Sequence, residues 1–450
     1  MNNIANIIHV RKALPGGGQV VVLNTDAAIN PESEAMLQAL HSRSIEGIDG
    51  HLEVLAEKGS EKFMSTYYVG YGHKSIGDCG SATIFIEGVS MLAAKAIQDW
   101  KLYSGQESST RYIDFTSQAF LNPLGSEAGE KILETWRGFY LKAVAEMKEV
   151  LKERYPISEG EKETVYEKAI AARAFDTTRG FLPAGATTNL AWHGNLRQFA
   201  DKVQLLRHHP LSEVKDIAQS IDTALLEAFP NSFSEKRYEA TETYHAEVMK
   251  HYYYHEPDCP LLQLVRDSVD KGSLEKYRSL LENRPAHTEL PKWMGVFGEI
   301  EFKYLLDFGS FRDIQRHRAL TQRMPLLTSD IGFNEWYLNE LSSSLRQEAE
   351  ETIEKLKAAT NDLPVSQEEK QYYIPMGYNT SNNFSSDLPA LLYMVELRAT
   401  RFVHPTLRQQ AAAMAKLLEE QYKDIGLVIH LDSEMDRFDI KRGEHDIVKQ

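Results

Sequence analysis

The chain carries the same order of parts twice. Leu182-Pro183-Ala184-Gly185 is followed by two helical patterns, 193–207 and 211–229, joined at His209-Pro210. Ile374-Pro375-Met376-Gly377 is likewise followed by two, 387–403 and 406–422, joined at His404-Pro405. Ahead of each tetrapeptide lies a long amphipathic stretch. In 126–155, Ile132, Trp136, Tyr140, Ala143, Met147 and Leu151 recur near helical spacing; its counterpart is 333–360. Ahead of those come apolar runs, 81–88 read as a strand and 298–308 with an aromatic beat. Helices are also expected over 89–103 and 258–281. The polar break Pro230-Asn231-Ser232 then divides domains 1–230 and 231–450, two divergent copies of roughly 200 residues.

Composition narrows the class. Of 450 residues, 42% are hydrophobic and 26% charged, ordinary for a globular protein with sizeable cores. The net charge of -15 argues against a nucleic-acid or anionic-membrane binder, while leaving room for a local basic pocket. With only Cys79 and Cys259, neither a disulfide framework nor a CxxC zinc site is expected. No signal-like N-terminal segment and no run of membrane-spanning length is found, so a cytoplasmic protein is expected.

Two stretches stand out chemically. Arg316-His317-Arg318 follows the apolar run Phe302 to Phe311. Guanidinium groups grip oxyanions through paired bonds, and imidazole can hold a proton near neutrality. Far away lies Glu107-Ser108-Ser109-Thr110-Arg111-Tyr112. Each has a plainer reading: a solvated basic helix end, and a surface ion pair of Glu107 with Arg111, four residues apart on a helix or simply in a loop. His251 and His255 have the i,i+4 spacing of a metal pair, but a Tyr-rich helix end before Pro257 explains them better, and no metal is expected.

Together these residues resemble the signature of flavin-dependent thymidylate synthases, split between the halves. The second half keeps Arg316-His317-Arg318 but lacks the Glu-x-Ser-x-Arg tail. The first half reads Asp99-Trp100-Lys101 at the triplet and keeps Glu107, Ser109, Arg111 and Tyr112. Asn195-Leu196-Arg197 is similar to the family's Asn-x-Arg, and Arg398 and Arg408 to its late flavin- and nucleotide-side residues. His73-Lys74-Ser75-Ile76-Gly77-Asp78 resembles the His-x-Ser/Thr-x-x-Glu turn near the flavin, with Asp78 for Glu; Leu290-Pro291-Lys292 stands in its place in the second half.

The resemblance implies an α+β fold: two copies of a small antiparallel or mixed sheet with long helices, paired as a pseudo-dimer. Since the family builds its pocket across a subunit interface, complementary losses leave one intact composite site per chain. It implies methylation of dUMP to dTMP with FAD as cofactor, a folate one-carbon donor and a nicotinamide reductant (NADPH), and a homodimer that imitates the family's tetramer. Arg316 and Ser109 become the catalytic candidates. Glu107, Ser109, Arg111, Arg197, Arg316 and Arg408 would bind the nucleotide. His73, Ser75, Asp78, His317, Arg318 and Arg398 would face the flavin, with Arg318 or a His317 imidazolium stabilising its reduced anion. The same scaffold could instead act on another pyrimidine, or bind nucleotide and flavin without turnover.

Overall fold

The computed structural model describes residues 9–23, 30–42, 48–70 and 72–432. It is a mixed α/β structure with antiparallel sheets, and it separates into two compact units. One comprises Met1–Ile113 with Ala186–Tyr252; the other comprises Asp114–Gly185 with Tyr253–Gln450. The long helical middle of the first half therefore packs with the second half of the chain.

The first unit is built on a five-stranded sheet. Its central strand Ser81–Ser90 pairs antiparallel with Gln19–Leu23 on one side and Thr187–Asn195 on the other. Ile84, Ile86, Trp192 and Val20 are fully buried between this sheet and its helices. Ser90 ends the strand and caps the Met91–Gln98 helix, its hydroxyl accepting from the Ala93 N–H at 3.0 Å. Asn195 caps the Leu196–Leu206 helix in the same way.

The second unit repeats this succession on a four-stranded sheet. Glu299–Asp307 pairs antiparallel with Asn379–Asp387 along its whole length. Asp307 caps the Phe308–Ile314 helix and Asp387 the Leu388–Arg398 helix. Against this sheet lie the helices Leu388–Arg398 and Pro405–Tyr422, and a separate helical layer is formed by Glu127–Arg154 with Glu163–Thr178 and Ser343–Asn361. Trp136, 1% exposed, anchors the Glu127–Arg154 helix by donating its indole N–H to the Tyr373 carbonyl at 3.2 Å.

Within this unit the two tetrapeptides of the repeat meet as an antiparallel pair at Pro183 and Pro375. Ala184 N–H donates to Ile374 O at 2.9 Å, and Met376 N–H to Leu182 O at 2.9 Å. Gly185 N–H donates to Tyr372 O and Gly377 N–H to Gly180 O. Each bond of one segment has its counterpart in the other. A Cβ on Gly185 would lie 2.6 Å from the Tyr372 oxygen, and one on Gly377 2.4 Å from the Phe333 ring. Close approach therefore explains why both segments end in glycine.

Some sequence expectations change. The helix expected over 89–103 stops at Gln98. Thr187–Asn195 and Asn379–Asp387 are strands, where helices were expected from 193 and no strand was foreseen before 387. The second reads Asn-Thr-Ser-Asn-Asn-Phe-Ser-Ser-Asp, of low β propensity, and is a strand because it is paired on both sides and largely buried. Residues 258–281 hold the strand Leu262–Asp267 and two short helices rather than one long helix.

Candidate functional site

In the first unit, the turn carrying His73, Ser75 and Asp78 precedes the central strand, and His73 and Ser75 are exposed. Asp78 Oδ1 lies 2.8 Å from Arg197 Nε and accepts from Asn195 Nδ2 at 3.2 Å. The Arg197 N–H also donates to Gly77 O at 3.3 Å. The turn and the start of the Leu196–Leu206 helix are thus tied together, and three residues singled out from sequence, Asp78, Asn195 and Arg197, converge.

Glu107 has a buried lysine as a partner. It closes the strand Ser104–Glu107, whereas Arg111 lies in the short turn Thr110–Tyr112, so no helix places them side by side. Its carboxylate pairs with Lys95 at 2.7 Å, the side chains only 1% and 2% exposed, and accepts from Gln98 Nε2 at 2.9 Å. Ser109 is exposed and precedes that turn. Where the triplet has become Asp99-Trp100-Lys101, buried Lys202 donates to the Asp99 carbonyl at 2.8 Å and lies 5.8 Å from the Trp100 ring centre. Burial pushes the Lys202 ammonium down to about 8.

In the second unit the triplet stands as far past its helix cap as in the first: nine residues from Asp307 to Arg316, nine from Ser90 to Asp99. Arg316 and Arg318 are exposed. His317 is 9% exposed, and its Nε2 accepts from Arg398 Nε at 2.8 Å. Burial, then the charges of Arg398 and Arg316, push its imidazole down to about 3, with Asp313 opposing. His317 is therefore a neutral acceptor; the imidazolium expected from sequence does not form near neutral pH, because a bonded guanidinium occupies the ring nitrogen. Arg398 also donates to the Asp313 carbonyl at 2.8 Å. Arg408 sits half-buried on the Pro405–Tyr422 helix.

Asp313, Arg312, Arg179 and Tyr337, which the sequence reading passed over, complete this cluster. Asp313 Oδ1 lies 3.8 Å from Arg316 Nε. Burial raises the Asp313 carboxyl, but Arg316, Arg398, Arg179 and Arg312 together hold it below its ordinary value. Arg179, from the first half of the chain, donates to Ser310 Oγ at 2.8 Å and to the Tyr337 hydroxyl at 3.4 Å. Tyr337 in turn donates to Asp307 Oδ2 at 2.9 Å. Arg316 is the guanidinium nearest the Asp313 carboxylate, Arg398, Arg179 and Arg312 act on it as charges, and Asp307 and Asp176 also act on Arg179; guanidinium groups gathered in this way suit an oxyanion. A signal for Arg179 existed. It stands four residues before Pro183, and Gln371 stands four before Pro375. This is another complementary difference between the halves.

The Glu239–Lys250 helix ends before His251, and Tyr253–Tyr254 follows as a short strand, so His251 and His255 do not share a helical face. Among the described residues, no group of three or more His, Cys, Asp or Glu could hold a metal ion. Among the same residues, no helix is long and apolar enough to cross a membrane.

Residues 27–231 match the family model described as thymidylate synthase complementing protein. A UPF0159 protein of Chlamydia muridarum is 27% identical over 408 residues, covering 77% of this chain and 76% of the relative. A UPF0159 protein of Chlamydia pneumoniae is 26% identical over 406 residues, with coverage of 77% and 76%. One from Thermoplasma acidophilum is 24% identical over 451 residues, covering 83% of this chain and 89% of the relative.

Proposed function

We infer, for a chain that belongs through residues 27–231 to the thymidylate synthase complementing protein family, the flavin-dependent thymidylate synthases, that its function is the methylation of dUMP to dTMP. The observation that carries this reading is the arginine cluster of the second unit. Arg179 comes from the first half of the chain and Arg312, Arg316 and Arg398 from the second, as a composite site requires. The reciprocal bonds at Pro183 and Pro375 support a tandem pair of like folds, since matched contacts are what a two-fold relation produces.

The phosphate of the nucleotide would be taken by Arg316 with Arg179, and Arg398 would hold the neutral His317 in place. Glu107, Ser109, Arg111, Arg197 and Arg408 are assigned to the same nucleotide by the resemblance. For FAD the resemblance assigns His73, Ser75 and Asp78 of the first unit and His317, Arg318 and Arg398 of the second. The exposed imidazole and hydroxyl of the turn that Asp78 ties to Arg197 are donors of the kind a dinucleotide diphosphate takes, so the residues present fit the cofactor. When bound, FAD would supply the hydride that completes the methyl group, a folate would supply the carbon and NADPH the reducing equivalents. His317, neutral and bonded through Nε2, orients its ring without donating charge. Arg318, exposed next to it, is the cation left to favour an anionic ring.

A second reading, nucleotide binding without turnover, is favoured by Glu107, whose carboxylate is held by Lys95 and Gln98. One set of measurements separates them. The proposed enzyme is yellow as purified or takes up added FAD, binds dUMP, and forms dTMP when folate donor and NADPH are supplied. Binding without dTMP selects the second reading, and a colourless protein that takes up no FAD removes the first. Light scattering would test the homodimer.

A further inference from the structure

The arginine cluster contains its own anion. Asp313 sits three residues before Arg316, at the end of the Phe308–Ile314 helix. Its carboxylate is 27% exposed and 3.8 Å from Arg316 Nε, beyond hydrogen-bond range. Its backbone carbonyl is separately fixed by Arg398 at 2.8 Å. The backbone at Asp313 is thus held while its carboxylate rests on a loose, partly solvated ion pair. Arg312, Arg316 and Arg398 carry three positive charges and Asp313 one negative, with His317 neutral, while Arg179 also faces Asp307 and Asp176. The surplus favours an incoming dianion, but that dianion must share Arg316 with a carboxylate already beside it.

We propose that Asp313 is a resident counter-anion: it faces Arg316 when the site is empty, competes with the phosphate for it, and so sets the affinity for oxyanions. This rests on the reading of the cluster as the phosphate site. The loose geometry is what allows exchange. A phosphate can make short, charge-assisted bonds to a guanidinium, whereas the carboxylate at 3.8 Å makes none. In the empty protein the same carboxylate offsets the charge of Arg316 and of the guanidinium groups that act on it. One residue thereby stabilises the free site and weakens ligand binding.

The test uses the full chain with inorganic phosphate and with dUMP, each titrated by calorimetry and by thermal shift. Asp313→Asn keeps size and removes charge. It is expected to bind phosphate about threefold to tenfold tighter, the scale for one partly exposed charge. Its ligand-free melting temperature is expected to fall and to be regained with phosphate. Asp313→Glu, which keeps the charge, should resemble the parent. In an Arg316→Gln background, a substitution at an exposed position that leaves the fold intact, Asp313→Asn should lose most of its gain. Unchanged or weaker phosphate binding in Asp313→Asn, or the same gain in both backgrounds, overturns the proposal. Should Asp313→Asn not fold, Asp313→Ser is read by the same criteria. If phosphate behaves as expected and dUMP binds no better than phosphate, the counter-anion stands and the uridylate reading fails. If dUMP binds well and Asp313→Asn brings no gain, the reverse holds.

Discussion

At the end of the Met91–Gln98 helix the chain reads Asp99-Trp100-Lys101; nine residues past the cap of the Phe308–Ile314 helix it reads Arg316-His317-Arg318. Strand, cap and helix correspond, and in both places a cation from the helix after the second central strand packs on the middle residue of the triplet. In the first unit it is Lys202, seven residues past Asn195. In the second it is Arg398, eleven past Asp387, one helical turn further along the same face. The chemistry differs. Lys202 is spent on the Asp99 carbonyl and buried beside Trp100. Arg398 instead adds to a gathering of guanidinium groups larger than its internal counter-charge. Two places with the same succession of strand, cap and helix thus differ in charge: the first meets its lysine with a backbone carbonyl, the second gathers arginines beside one partly exposed carboxylate.

Four tests would break or sharpen this comparison. The largest effect is expected at Glu107. Glu107→Gln removes the carboxylate that faces buried Lys95, and should cost about 3–5 kcal/mol of stability in chemical denaturation. A loss below about 1 kcal/mol would show that the pair is not desolvated. Next is ligand binding. Arg316→Ala should weaken dUMP binding about 100-fold, the scale for removing one charge-assisted contact, while Asp99→Ala at the matching position changes it less than about threefold. Equal effects would erase the distinction between the halves.

The third concerns pH. His317 stays neutral in the fold down to about 3, whereas an unfolded histidine protonates near 6.5. Between those values the unfolded chain binds the extra proton, so stability falls as pH drops below about 6.5, by up to about 1.4 kcal/mol per unit. His317→Gln keeps an acceptor for Arg398 and should flatten that slope; an unchanged acid limb would be falsifying. The smallest effect is at Lys202. Its folded value, about 8, lies below the unfolded one, about 10.4, so the unfolded chain holds more protons in between, and wild-type stability gains as pH rises through that window. Lys202→Met should be about 1 kcal/mol more stable than the parent near pH 7, with the advantage shrinking toward pH 10. A variant less stable at neutral pH would mean that the bond to Asp99 outweighs the burial of the charge.

Much of the plan was legible in residue order. The helices Glu127–Arg154, Ser212–Ala228 and Pro405–Tyr422 fall where apolar periodicity puts them. The two glycine-ended tetrapeptides marked a real correspondence. The strand Asn379–Asp387 was not legible, because its polar side chains satisfy one another and the neighbouring backbone in the core: Thr380 donates to Leu306 O and Asn382 to Thr380 O. At the candidate site the triplet and Asp78 with Arg197 could be named from sequence, but Lys95, Lys202, Arg179 and Asp313 could not. Their significance lies in partners 12, 103, 131 and 3 residues away, and only the last is local.

By itself the sequence determined the repeated order of elements and the places of Glu107-Ser108-Ser109-Thr110-Arg111 and Arg316-His317-Arg318 within it, because periodicity, caps and motif spacing are local properties of the chain. Only the tertiary structure decided that residues 114–185 pack with the second half and bring Arg179 to the Arg316 cluster. It also decided that His317 is neutral and that Glu107 is neutralised by a lysine. Burial and the approach of charges distant in sequence set those properties, and neither is written in local spacing.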